Sequence, residues 1–96
     1  MNENVREVVA RNIKNLLEKR DMSMNKLSTF SYVNYSTLWA IVNCKRNPSQ
    51  DTMIDIADAL GVKLYELYKE WFNDVYPQVF ESIRIFKDTV VINQNW

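Results

Sequence analysis

Apolar residues recur every three or four positions through the first two thirds of the chain, which is the period of an amphipathic helix. This period predicts a long first helix over residues 3–20, whose apolar stripe consists of Val5, Val9, Ile13, Leu16 and Leu17. Shorter patterns predict a second helix that begins after Ser23 and ends near Phe30, and a third that begins after Asn34 and ends near Val42. Ser23 and Asn34 are expected to be N-caps, because their side chains can accept hydrogen bonds from the first free backbone amides of a helix.

Two more helices are predicted in the middle of the chain. Pro48 interrupts the pattern, Ser49 can cap a fourth helix, and Gly61 is of the residue type that commonly follows a helix end. The fourth helix is expected to bury Met53, Ile54, Ile56, Ala57 and Leu60. A fifth helix is predicted over residues 63–72, with three inward-facing residues, Leu64, Leu67 and Tyr68.

The chain changes character after Pro77. Residues 79–86 and 89–92 are rich in β-branched and aromatic side chains, which favour strands. They predict a short β-hairpin or a single strand, and an isolated hairpin is marginal in water, so it is expected to pack on the helices or on a second copy. We therefore predict an all-α domain of five helices over residues 1–74, followed by a β or extended tail over residues 75–96.

The composition is that of a globular protein. With 96 residues, 47% of them apolar and 25% charged, the chain can form one domain with one modest core. No apolar run approaches the roughly 18–20 residues of a membrane span, and we expect neither a signal peptide nor a membrane partner. The single cysteine, Cys44, cannot form an internal disulfide, which favours a cytoplasmic location.

Residues that carry enzyme chemistry are scarce. The chain has no histidine, the commonest general base and metal ligand, and one cysteine is too few for a structural zinc site. Its single glycine, Gly61, cannot form a glycine-rich phosphate loop. We therefore expect no enzymatic activity, no metal and no cofactor.

Charge is divided unevenly along the chain, although the net charge is zero. Residues 1–50 contain eight Lys or Arg and four Asp or Glu, a net +4, whereas residues 51–96 contain four bases and eight acids, a net −4. A basic half is expected in a protein that binds the phosphate groups of a partner on one face. The alternative is a scatter of charges without function.

Residues 22–49 carry the most informative pattern. Two short helices meet there at a tight turn, and polar residues separate four apolar positions, which are Leu27, Val33, Leu38 and Ile41. This spacing is typical of a helix-turn-helix, in which the second helix is held against the body of the protein and offers its outer face to a groove of DNA.

These residues resemble the helix-turn-helix regulators of the phage repressor type (Cro/C1, or XRE), and the resemblance extends without gaps over residues 9–67. It includes the motif core, the loop Lys-Arg-Asn-Pro-Ser at residues 45–49, and the fourth helix with its exit at residues 56–62. The resemblance implies a lambda repressor-like fold and a sequence-specific regulator of transcription, in the leading interpretation a repressor, whose third helix reads the major groove. One such helix reads few bases, so a homodimer on an inverted-repeat operator of double-stranded DNA is expected.

Several positions depart from the family pattern. Met24 stands where the family usually has a glutamine that fixes the protein on the DNA backbone, and Ser28 replaces the usual alanine of the second helix. Tyr32 replaces the glycine of the turn, and Cys44 replaces the glycine after the third helix, where a left-handed backbone is unfavourable for a side chain.

A family ion pair between the first and third helices is also absent. Its two positions are Leu17 and Val42 in this chain. Because both partners are replaced together, an apolar contact is expected in place of the ion pair, and this exchange need not be destabilising.

The helix pattern and the resemblance together assign candidate contacts. The residues expected to contact bases are Asn34, Tyr35, Ser36, Trp39 and Ala40. Those expected to contact phosphates are Ser23, Met24, Asn43, Lys45, Arg46 and Asn47. No Arg, Lys, Asn or Gln, the best readers of guanine and adenine, occurs between residues 35 and 42, so selectivity is expected from apolar contact and DNA shape. The candidate dimer surface consists of apolar tail residues, namely Val79, Phe80, Ile83, Ile85, Val90, Ile92 and Trp96.

The exposed face of the third helix has alternative interpretations. Tyr35 and Trp39 share one side of the helix, and Trp39 can face DNA, pack back onto the second helix or the acidic half, or belong to a protein-binding patch. Lys45 and Arg46 can equally form a solvated loop. The alternative function is therefore a helix-turn-helix fold that binds a protein partner, as an antirepressor or antitoxin-like module.

Overall fold

Four α-helices and one short 3₁₀ helix follow one another in residues 4–71, the part of the chain that the structure, a computed structural model, describes. The helices are α1 (Val5–Lys19), α2 (Met24–Ser31), α3 (Tyr35–Val42), α4 (Gln50–Leu60) and the 3₁₀ helix (Leu64–Leu67). The predicted all-α class is confirmed for these residues. The predicted hairpin, the tail domain and the candidate dimer residues lie outside them.

Each α-helix begins at a side chain that accepts a hydrogen bond from the backbone amide three residues later. The predicted caps Ser23, Asn34 and Ser49 accept from Lys26, Thr37 and Thr52 at 3.0, 2.8 and 3.2 Å. Asn4 is an additional cap: its side-chain oxygen accepts from the Glu7 backbone amide at 3.1 Å. The Asn4 side-chain amide also donates to the Glu7 carboxylate at 3.1 Å. Caps of this kind each stabilise a helix by about 1 kcal/mol, which matters for helices as short as α2 and α3.

All the helices contribute to one hydrophobic core. α1 packs on α3 and on the 3₁₀ helix, and α2 packs on α3 and α4. The core cluster is made of Val9, Ile13, Leu17, Leu27, Val33, Leu38, Ile41, Val42, Ile56, Ala57, Leu60 and Leu67. It includes both Leu17 and Val42, so the two positions of the missing ion pair are apolar and buried, as expected.

In the second half of the domain, one sequence prediction is wrong and another needs a correction. Ile54 was expected in the core, but 37% of its surface is exposed, because it shares the outer side of α4 with Asp51 and Asp58. A fifth helical element forms within the predicted range, residues 63–72, but it is interrupted: a 3₁₀ helix covers Leu64–Leu67, Tyr68 is in a turn, and helical backbone resumes at Lys69.

The buried Asn12 side chain explains where the 3₁₀ helix ends. Its amide donates to the carbonyls of Leu67 at 2.8 Å and Glu66 at 3.5 Å, and to the Glu70 carboxylate at 2.9 Å. In a continuous α-helix those two carbonyls would instead accept from the backbone amides four residues later. Asn12 thus pairs the last carbonyls of the 3₁₀ helix and ties this helix to α1.

Candidate nucleic-acid interface

The turn between α2 and α3 contains a tyrosine in a left-handed conformation. Tyr32 has a φ of 60°, its amide donates to the Ser28 carbonyl at 3.0 Å, and 95% of its surface is exposed. This conformation costs a side chain about 1–2 kcal/mol relative to a right-handed one. The glycine geometry of the turn is therefore retained without the glycine.

Two serines fix the residue that follows this turn. The Ser28 hydroxyl donates to the Val33 carbonyl at 2.6 Å, and the Val33 amide donates to the Ser31 hydroxyl at 3.2 Å. Both backbone groups of Val33 are thereby paired while its side chain enters the core. Sequence reasoning treated Ser28 only as a departure from the family alanine; the signal it missed is that serines near a helix end commonly bond to nearby backbone.

The helix α3 has a buried side and an outer side. Leu38, Ile41 and Val42 are buried, and Ala40 is half-buried. The outer side presents Tyr35, Ser36, Trp39 and Asn43, and the two aromatic side chains expose 46% and 49% of their surfaces. These positions are exposed as predicted, and Trp39 is not enclosed by the domain.

The polar groups of α3 are largely engaged within the helix itself. The Ser36 hydroxyl donates to the Asn34 side-chain oxygen at 2.9 Å, and that oxygen also caps the helix. At the other end, the side-chain amide of Asn43 donates to the Trp39 backbone carbonyl at 2.8 Å. The outer side of α3 is therefore dominated by two aromatic rings.

The loop after α3 begins with a second left-handed side chain. Cys44 has a φ of 59°, its amide donates to the Ile41 carbonyl at 3.1 Å, and the Lys45 amide donates to the Ala40 carbonyl at 2.8 Å. This pair of bonds is a Schellman motif, which usually contains glycine. The Cys44 thiol also lies 3.8 Å from the Arg6 carbonyl of α1. The motif ends α3 and leaves residues 45–47 exposed beside it.

The helix-turn-helix and its loop carry positive charge only. Between Asp21 and Asp51 the chain contains no acidic residue and three basic ones, Lys26, Lys45 and Arg46, all exposed. The first backbone amides of α2 and α3 have no partner within their helices and add the partial positive charge of a helix N-terminus. A surface of this kind attracts anions such as phosphate.

The predicted phosphate contacts are not equivalent in the structure. Ser23, Asn43, Lys45, Arg46 and Asn47 are exposed. The Met24 side chain instead packs partly against the core. Only the backbone amide of Met24, at the start of α2, is suited to an anion.

The described residues give no sign of a metal site or a membrane span. Among residues 4–71 no three His, Cys, Asp or Glu side chains are grouped so that they could hold a metal ion. None of the helices in this range combines the length and the apolar character needed to cross a bilayer.

Comparison with known proteins finds a helix-turn-helix family match and two solved structures of similar fold. Residues 13–67 match the family model described as helix-turn-helix. A crystal structure of a hypothetical transcription factor, NHTF, from Neisseria is similar, with a TM-score of 0.65 and 23% identity over 68% of this chain and 75% of that one. The restriction-modification controller protein C.AhdI from Aeromonas hydrophila is similar too, with a TM-score of 0.63 and 21% identity over 66% of this chain and 96% of that one.

No curated protein matches the chain. The two solved structures, at identities below one quarter, establish the fold. The family match spans more than half of the chain and includes both helices of the motif. The chain therefore belongs to the XRE-type helix-turn-helix family of DNA-binding transcriptional regulators.

Proposed function

We propose that this protein is a sequence-specific repressor that inserts α3 into the major groove of double-stranded DNA. The observation that carries the proposal is the segment between Asp21 and Asp51, which has three exposed basic residues, no acidic residue and a helix with an exposed outer side. The names of the two similar structures, a transcription factor and a controller protein, agree with a regulatory role.

Phosphate contacts supply most of the affinity in this proposal. Lys45, Arg46 and Asn47 contact the phosphates of one DNA strand beside α3. The start of α2, at Ser23 and Met24, contacts the phosphates of the other strand across the groove. Asn43 adds a contact at the end of α3. Base contacts then come from Asn34, Tyr35, Ser36, Trp39 and Ala40.

The proposal predicts how Arg46 contributes to binding. Arg46→Ala is expected to weaken binding to every duplex by a similar factor and to reduce the slope of log affinity against log salt concentration by about one, because one phosphate contact is lost. The measurement is a salt titration of binding to specific and random duplexes. Lys63→Ala is the matched control, since Lys63 is exposed but lies beyond α4.

A different result would contradict this assignment. If Arg46→Ala and Lys63→Ala had the same salt slope as the unaltered protein, the loop after α3 would not contact phosphate. If Arg46→Ala changed the preferred sequence, it would be a base reader instead.

A second candidate function is binding of a protein partner through the same surface. Exposed aromatic residues are common in protein interfaces, and Tyr32, Tyr35 and Trp39 are all exposed here. Salt separates the two candidates: binding through phosphates weakens steeply with ionic strength, whereas an aromatic protein contact responds little.

A further inference from the structure

We propose that α3 recognises the C5-methyl groups of thymine, so that the operator carries thymines at the base pairs that α3 covers. This inference rests on the proposed function, because it names the feature of DNA that the helix reads. It follows from the apolar surface on the outer side of α3 and from the absence of Arg, Lys, Asn and Gln from residues 35–42.

Side chains that form paired hydrogen bonds with guanine or adenine are missing from α3 itself. Residues 35–42 contain no Arg, Lys, Asn or Gln, which are the side chains that form paired hydrogen bonds with guanine or adenine. The Ser36 hydroxyl proton is already directed at the Asn34 oxygen, at 2.9 Å, and the Asn43 amide at the Trp39 carbonyl, at 2.8 Å. While these bonds are kept, the Ser36 hydroxyl can only accept a further hydrogen bond, and Asn43, at the end of α3, is assigned above to a phosphate and not to a base.

Apolar surface is present in their place. Tyr35 and Trp39 stand one helical turn apart and expose about half of their surfaces each, 46% and 49%. Ala40 lies beside Trp39 and is half-buried, so its methyl group adds to the same area. Together these three residues form an apolar strip along the outer side of α3, which we call the α3 strip.

The chemistry of DNA leaves one apolar counterpart for such a strip. Among the four bases, only thymine presents an apolar group, its C5-methyl, to the major groove. A helix that reads by apolar contact therefore distinguishes thymine from the other bases by burying this methyl. Removing one methyl group from such a contact weakens binding by about fourfold.

Charge indicates that the occupant of this surface is DNA. Lys45 and Arg46 lie in the exposed loop directly after α3, and the α3 strip belongs to a segment that contains no acidic residue. Phosphates of the DNA backbone border the base edges of the major groove, so they lie close to basic residues that adjoin a helix in the groove.

The test compares thymine with uracil, which pairs identically but lacks the methyl group. Full-length protein is used to select duplexes from a random library, and the enriched duplex is then synthesised with uracil replacing thymine at single positions. We expect two or more positions in each half-site at which uracil weakens binding about fourfold, and we expect 5-bromouracil, whose bromine is nearly as large as a methyl group, to restore it. Uracil at flanking positions is the DNA control.

Protein variants locate the methyl contacts. In Trp39→Ala or Tyr35→Ala, the loss caused by uracil at the contacted position is expected to disappear, because the partner of the methyl is gone. Tyr32→Ala is the matched control: this tyrosine is also exposed but lies in the turn before α3, so the ratio of thymine to uracil affinity should not change. Thermal unfolding of each variant confirms that it is folded.

The outcomes separate this inference from the proposed function. Salt-dependent binding to a selected sequence with equal affinity for thymine and uracil duplexes would overturn methyl recognition and leave DNA binding intact. A uracil effect that persists in both Trp39→Ala and Tyr35→Ala would overturn the assignment of the methyl contacts to these two aromatic residues of the α3 strip. Absence of binding to any duplex would overturn both proposals.

Discussion

At the scale of single residues, three helix ends in residues 4–71 are closed by side chains in a conformation that glycine normally supplies. Asp21, Tyr32 and Cys44 have φ values of 51°, 60° and 59°, and only the end of α4 uses a glycine, Gly61. The positions of Tyr32 and Cys44 follow from the family pattern, but sequence alone does not tell whether the backbone keeps its shape after the exchange. Here it does, because the Ser28, Ser31 and Schellman hydrogen bonds hold it.

Replacing Tyr32 by glycine is expected to stabilise the protein. The substitution removes about 1–2 kcal/mol of left-handed strain and adds about 0.5–1 kcal/mol of unfolded-chain entropy, so the free energy of unfolding should rise by up to about 1.5 kcal/mol. Little contact is lost, because the side chain is 95% exposed. Urea denaturation measures the change, and Tyr35→Gly, within α3, should instead be destabilising. A less stable Tyr32→Gly protein would mean that the ring makes contacts in solution.

At the scale of helices, local signals determined what was predictable. Ser23, Asn34 and Ser49 were identified as caps because capping depends on neighbours within three residues. The interruption of the fifth helix is not predictable from local sequence, because Asn12, which bonds to the Leu67 carbonyl there, is 55 residues away from Leu67. The period of α4 likewise does not show that Ile54 lies beyond the edge of the buried face.

The contact between α1 and the 3₁₀ helix gives a prediction at this scale. Asn12→Ala should lower the free energy of unfolding by about 1–3 kcal/mol, because it leaves the largely buried Leu67 carbonyl without its partner. The control is Asn15→Ala on the same helix, where the side chain is exposed and alanine has the higher helix propensity, so stability should be unchanged or slightly higher. Equal effects of the two substitutions in urea denaturation would show that the Asn12 hydrogen bonds contribute nothing.

At the scale of the whole molecule, selective binding requires two copies of α3 on one duplex. A single recognition helix contacts few base pairs, and a two-fold dimer doubles the number that is read. The apolar tail residues, Val79 to Trp96, are our candidates for the dimer surface. They lie outside the described residues.

Deletion of residues 78–96 tests this candidate. If the tail forms the dimer surface, the shortened protein should be monomeric by analytical ultracentrifugation and should lose most of its affinity for a full operator, because the second half-site no longer adds to binding. Affinity for a single half-site should change little. A stable dimer after the deletion would assign the interface to the helices instead.

The most direct test of the central claim is selection of duplexes from a random library by the full-length protein at low and moderate salt. A sequence-specific helix-turn-helix dimer predicts enrichment of an inverted repeat whose half-site centres are about 34 Å apart, one turn of DNA, at both salt concentrations. No enriched sequence, with binding that disappears at moderate salt, would contradict the claim and favour a protein partner that binds Tyr35 and Trp39.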